Sequence, residues 1–441
     1  MWLLNTQSEK LEEWNEHDEE LQYATLSHTW LRRSEGEGQE VLFANMADLA
    51  TARQKAGWNK LDFAMKRAAS DELRYVWIDT CCIDKESSAE LAEAINSMFR
   101  IYQKSKYCYV YLDGHMQDET QSAAAHSDID VSSAPIVCSA NISAIPHQEE
   151  HSSEHGILMD EHNPPLNSAD LPYSSEPGSG SSSRGNESGL RSGVSNAIFF
   201  CVAPAPICNI TALFQKCRWF TRGWTLQEMV AAPNVLFYDA SGKYIGTLAE
   251  LVEKVSIITG VHREMLSRRR PLSSFSIAQR MAWASTRQTT RVEDRAYSML
   301  GIFDVNLPIL YGEGVRAFQR LQEELLRVYN DHTIFVWGYA SPGFDVGNRC
   351  DLLASSPDEF NHDQYTKITA VTGTSDQKQY EVLGRTIRFH LPVLHMSKKD
   401  RFQAGVRYTA VLDCCFEDNA MRRICMELEC AVSEISFACA A

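Results

Sequence analysis

The 441-residue chain has no long hydrophobic run, no Cys-x-x-Cys pair and no phosphate-loop signature. No window reaches the ~20 apolar residues that a membrane-spanning helix needs. The nearest run, 198–210, is interrupted by Pro204 and Pro206. The opening Met1-Trp2-Leu3-Leu4-Asn5 has no basic start and no apolar core, so no secretory signal is read. These absences predict a cytoplasmic protein with no membrane partner. The thirteen cysteines are scattered, without zinc-ligand spacing, and are expected as reduced thiols, mainly in cores. No metal is expected. The lack of a G-x-x-x-x-G-K-[ST] loop and of any repeat period excludes a P-loop nucleotidase and a propeller. Basic residues are not gathered into a nucleic-acid-binding surface. The one cluster, Arg268-Arg269-Arg270, reads as a solvated loop.

What is present is apolar and acidic. Residues of the apolar set make up 44% of the chain, enough for real cores, and the net charge is −16. That charge is uneven. Residues 115–200 hold twelve acidic side chains against two arginines and contribute −10 of it. The same stretch is rich in Ser, Gly and Pro and cannot bury enough apolar area to offset its ordering entropy. It predicts a disordered acidic insertion over 114–200.

Either side of that stretch the pattern is α/β. Strands are predicted at 22–27, 75–78, 107–112 and 234–238, and helices at 60–69, behind Ser87, and at 222–230. Ser87 and Glu90 fit a capping box. The uninterrupted apolar run at 75–78 suits a strand covered on both faces. The order argues for a parallel sheet with helices on both faces. A first part at 1–113 and a second at 201–245 would form one domain. A helical region at 246–330 follows, in which Val315, Phe318, Leu321 and Leu325 make an apolar stripe. Strands at 334–337, 380–383, 387–391 and 408–412 predict a β-rich region over 331–441.

Four motifs stand out. They are Tyr23-Ala24-Thr25-Leu26-Ser27-His28-Thr29-Trp30, Tyr75-Val76-Trp77-Ile78-Asp79-Thr80-Cys81-Cys82-Ile83-Asp84, Arg222-Gly223-Trp224-Thr225-Leu226-Gln227-Glu228 and Arg291-Val292-Glu293-Asp294-Arg295-Ala296-Tyr297. Trp224 and Glu228, at i and i+4, share a helical face. A carboxylate beside an aromatic wall is partly desolvated, where its charge acts strongly. Ser27, His28, Asp79 and Cys82 each fall at or just past a strand end, where open α/β sheets bind ligands. The blander reading of each is structural: a packed Trp224, a hydrogen-bonded His28, a core Trp30, Asp79 and Asp84 as helix caps, and Arg291, Glu293 and Asp294 as an ion-pair network.

In this order the motifs resemble the fungal heterokaryon-incompatibility (HET) domain, from about residue 1 to about 327. Two departures are visible: Leu31 where the family usually has glycine, and the long 114–200 insertion. The resemblance extends, distantly, to the flavodoxin-like Toll/interleukin-1 receptor (TIR) fold, whose enzymatic members cleave NAD at the nicotinamide–ribose bond. It implies Glu228 as the catalytic carboxylate. It also implies Ser27, His28, Trp30, Asp79, Cys82, Asp84, Arg222 and Trp224 around the ligand, with NAD as substrate and no bound cofactor. The biological role implied is non-self recognition and programmed cell death, set off by an unidentified protein trigger and involving a homo-oligomer. Two further readings stand beside it. One is a non-catalytic, oligomerising signalling module. The other is a hydrolase with Cys82 as nucleophile and His28 as base.

Overall fold

The computed structural model describes residues 1–15, 18, 20–31, 38–113, 207–338, 352–361, 365–371, 380–383, 386–395 and 406–430. All belong to one unit, Met1–Gln117 with Pro204–Ala441. The insertion read at 114–200 lies outside the described residues.

A seven-stranded mixed sheet organises the first half. Its strands are β1 (Trp2–Asn5), β2 (Leu11–Glu13), β3 (Tyr23–His28), β4 (Tyr75–Ile78), β5 (Tyr107–Tyr111), β6 (Val235–Tyr238) and β7 (Tyr244–Thr247). They lie in the order β2-β1-β4-β3-β5-β6-β7. The inner four are parallel, with Leu26 opposite both Ile78 and Tyr109. The outer strands are antiparallel. The sequence reading found the parallel core and missed both antiparallel edges. Leu3 and Leu4, fully buried on β1 beside β4, belong to this sheet.

The helices follow α1 (Leu49–Ala52). They are α2 (Trp58–Ser70), α3 (Ser88–Lys104), α4 (Ile207–Lys216) and α5 (Trp224–Ala231). The chain moves one way from β3 to β4 and the other way from β4 across to β5 and on to β6. Right-handed crossovers then force α2 onto one face and α3 and α5 onto the other. The contacts agree. Phe63 of α2 packs at an angle against Tyr111 and Tyr238, while Tyr102 of α3 packs on Trp77. Every residue of β3 is buried, as a doubly covered strand requires. Half of the anticipated capping box forms: Ser87 accepts from Glu90 N–H, but the Glu90 carboxylate turns to Asp84 N–H instead.

The helical region comprises α6 (Val252–Thr259), α7 (Arg263–Leu266), α8 (Ile277–Ser285), α9 (Asp294–Tyr297) and α10 (Arg316–Val328). Phe318, Leu321 and Leu325 bury one face of α10, but Val315, which precedes it, is 66% exposed. The Arg268 loop is not simply solvated. Its guanidinium bonds the carbonyls of Met229, Val230 and Ala232 at the end of α5, where a cation offsets the helix dipole.

The C-terminal region is β-rich, as expected. Its strands are β8 (Ile368–Ala370), β9 (Tyr380–Leu383), β10 (Thr386–Phe389), β11 (Val393–His395), β12 (Val406–Phe416) and β13 (Asn419–Cys430). It packs on α8, where Ser276 bonds Ile368 O and Gln279 bonds Thr366 O. The strand expected at 334–337 is instead a 3-10 turn, His332–Phe335. The Asp331 carboxylate caps Thr333 N–H there and closes the chain on itself. Cys81, Cys82, Cys108, Cys217, Cys414 and Cys415 are buried free thiols, and Cys425 is exposed.

Candidate functional site

A cavity of about 330 Å³ opens at the carboxyl ends of β3 and β4. Its size is within the ordinary range for small-molecule sites. His28 and Trp30 reach it from β3, and Asp79 and Lys85 from the segment after β4. Ile95 and Met98 come from α3, and Trp224 and Glu228 from α5. Arg222 stands just before α5, whose start is fixed by Gly223: a Cβ there would meet Thr289 Cγ2 at 2.5 Å. Only glycine lets the two segments approach this closely.

Glu228 is 7% exposed. Its Oε2 accepts from the Ser27 hydroxyl, which in turn accepts from the Trp219 indole N–H at 2.7 Å. An indole only donates, so the serine proton must point to Glu228. Burial is the largest influence on this carboxyl and, opposed by the Ser27 bond and aided by Asp79, pushes it up to about 8. Behind it lies Arg287, wholly enclosed, whose burial pulls it down to about 9.

Asp79 is the opposite case. Burial works against its charge. The hydrogen bonds from His28 Nε2 at 3.1 Å and Trp30 Nε1 at 2.8 Å, with the Lys85 ammonium nearby, hold it well below the usual carboxylate range. Lys85 also lies 4.2 Å from the centre of the Trp30 ring and donates to the Asp79 backbone carbonyl. The cavity therefore holds one carboxylate kept ionised and one carboxyl kept close to neutral, a separation found where acid–base work is divided.

Residues 23–168 match the family of heterokaryon incompatibility proteins (HET), and 316–351 match a domain of unknown function. The vegetative incompatibility protein HET-E-1 of Podospora anserina is 34% identical over 304 residues, or 69% of this chain. The chain is a fungal HET-domain protein. It spans 16% of that relative's length. No solved structure matches it.

The HET motifs converge as strand-end residues should. His28, Trp30, Asp79, Arg222, Trp224 and Glu228 all line the cavity. Ser27 sits behind Glu228. Cys82 and Asp84 do not reach the cavity. The Cys82 thiol is folded back on β4, accepting from Ile78 N–H and facing Val76 O, which removes the pairing with His28 that a thiol nucleophile would need. Asp84 accepts from Glu86 N–H and shapes the turn before α3.

The fourth motif was read as an ion-pair network, and the structure corrects this. Glu293 takes two backbone N–H groups, from Gly312 and Gly314. Asp294 accepts from Tyr311. Together they pin the 310–314 loop against the site. Asp294, Arg291 and Tyr311 then line the cavity. Sequence reasoning also missed Trp219, Lys85 and Arg287. Trp219 carried a signal, being a second tryptophan five residues before Trp224. Lys85 and Arg287 carried none, since isolated cations are ordinary in loops.

Among the described residues no helix is long and apolar enough to cross a membrane. Among the same residues no group of three His, Cys, Asp or Glu side chains could hold a metal ion.

Proposed function

We propose that this HET-domain protein is an effector of fungal non-self recognition and programmed cell death whose cavity cleaves the nicotinamide–ribose bond of NAD. The observation that carries the reading is Glu228 in the cavity wall, one helical turn beyond Trp224, at the carboxyl ends of parallel strands. The parallel strands run β4-β3-β5-β6, so the chain reverses direction at β3. The cavity lies beside that point, at the ends of β3 and β4, and open α/β sheets bind their ligands outside the carboxyl ends of their strands.

The chemistry suits the residues. The C1′–N bond breaks with its electron pair passing to nicotinamide, which leaves neutral, while positive charge grows on the ribose. Water adds to C1′ and loses a proton to solvent. NAD is cationic at its nicotinamide ring, so its arrival favours the ionised form of Glu228, which then faces the ribose as charge develops. The Trp30 and Trp224 rings supply aromatic walls.

A non-catalytic oligomerising module is favoured by one observation: Glu228 already has a structural partner in Ser27, and burial favours its neutral form. The test is nicotinamide release from NAD by purified protein at high concentration, beside Glu228→Gln. Turnover lost in the variant supports the glycohydrolase. No turnover in either folded protein supports the module. Equal turnover in both places the reaction elsewhere.

A further inference from the structure

Three cations and three carboxyl groups line one cavity, yet among the described residues no lysine or arginine of its wall makes a direct salt bridge to a wall carboxylate; Lys85, Arg222 and Arg291 act on Asp79, Glu228 and Asp294 only through the field. Asp79 is satisfied by His28 and Trp30, Glu228 by Ser27, and Asp294 by Tyr311. Lys85 is used up on backbone carbonyls and the Trp30 face. Arg222 and Arg291 remain. Arg222 spends one N–H on the Thr290 hydroxyl at 3.2 Å. Arg291 lies over Tyr311 at 4.3 Å, and stacking leaves the in-plane N–H edge of a guanidinium free. Thr290 adjoins Arg291, and both arginines line the same cavity.

Their mounts are rigid. The Arg222 carbonyl is held by Arg287 Nη1 and the Thr225 hydroxyl, each at 2.9 Å. Arg291 precedes Glu293, which is fastened to two glycine N–H groups. Arg291 is exposed and Arg222 half-buried, whereas Glu228 is enclosed. The cavity is thus polarised, with guanidinium groups at its rim and the Glu228 carboxyl at depth.

We propose that Arg222 and Arg291 are the two arms of an anion subsite that takes the phosphate or diphosphate of a nucleotide whose other end reaches Glu228. One guanidinium saturates the two oxygens of a carboxylate. A second arm calls for the extra oxygens and charge of a phosphate. This deepens the reading above and rests on it for the nucleotide, but the subsite is testable without any bond being cleaved.

The experiment is calorimetric titration of the full chain with ADP and with inorganic pyrophosphate, neither of which has a nicotinamide–ribose bond. The variants are Arg222→Gln, Arg291→Gln and, as a control, Arg263→Gln, an exposed arginine outside the cavity. Both probes should bind the parent, and each cavity variant should weaken them about tenfold or more. Arg263→Gln should leave affinity unchanged. Arg291→Lys should bind between parent and Gln variant, because it keeps the charge and loses the fork. No binding of either probe by the parent overturns the subsite. An equal loss in Arg263→Gln also overturns it, since the attraction would then be general charge. ADP binding with no NAD turnover would sink the glycohydrolase and leave the subsite standing.

Discussion

Ser27 and Glu228 stand 201 positions apart and share one buried hydrogen bond, with the Trp219 indole holding the far side of the same hydroxyl. The bond ties the end of β3 to the middle of α5. It spends Oε2 of Glu228 on structure.

Removing that hydroxyl should cost on two counts. Ser27→Ala leaves the Trp219 N–H and a Glu228 oxygen without partners in a buried place, so about 1–3 kcal/mol of stability should be lost in urea unfolding. The Ser27 bond also favours the ionised carboxylate. Any pH-dependent activity of the variant should therefore shift to higher pH than in the parent, and an unshifted profile would refute this role for the hydroxyl.

Glu228 should make stability fall as pH rises. Its folded pKa, about 8, is raised above the ordinary carboxyl value of 4.5. Protonation therefore stabilises the fold fully below about 4.5, and that stability is lost as pH climbs through about 8. Glu228→Gln cannot ionise and keeps an acceptor for Ser27. Its urea midpoint should be nearly level across this window and exceed the parent's at pH 8 by the equivalent of a few kcal/mol. If parent and variant change together with pH, another group is responsible.

If the glycohydrolase reading holds, kcat/KM for NAD should rise with pH up to about 8 and then level, because the working form is the carboxylate. The Gln variant should be slower by about 10²–10³. A flat profile between pH 6 and 9 would remove Glu228 from the chemistry.

The Trp30 segment is held from below by a buried pair. Lys60 Nζ donates to Glu40 Oε1 at 2.7 Å and to Thr29 O at 2.8 Å, and Glu40 Oε1 also accepts from Leu31 N–H. Lys60→Met leaves Glu40 charged and enclosed and should destabilise by about 3–5 kcal/mol, with faster amide exchange at Leu31. Lys66→Met, which breaks an exposed pair with Asp62, should cost no more than about 0.5 kcal/mol. Comparable losses in the two would mean that burial of the Lys60 pair has been misjudged.

Gly223→Ala should destabilise by about 1–3 kcal/mol, because the new methyl meets Thr289 Cγ2. Thr289→Ser removes that carbon and keeps the hydroxyl bonded to Arg291 O. In the double variant most of the loss should return in thermal unfolding; failure to recover would locate the strain elsewhere.

Resemblance of its motifs to the HET and TIR families pointed to Trp30, Arg222, Trp224 and Glu228; the amino-acid sequence by itself determined the alternation of strands and helices, the doubly covered β4 and the strand-end placement of His28 and Asp79. These were readable because period, burial and strand-end placement are local properties. The antiparallel edges were not readable, since β1 and β7 are short and owe their place to what lies beside them. Cys82 and Asp79 show the limit most directly. Both follow the same strand, yet one side chain folds back on β4 while the other enters the cavity. Likewise Asp294 and Arg291 read as members of an ion-pair network until Tyr311 is brought against them. The tertiary structure alone decided that Glu228 is lifted to about 8 while Asp79 stays ionised, because desolvation and hydrogen bonding depend on residues far away in the chain.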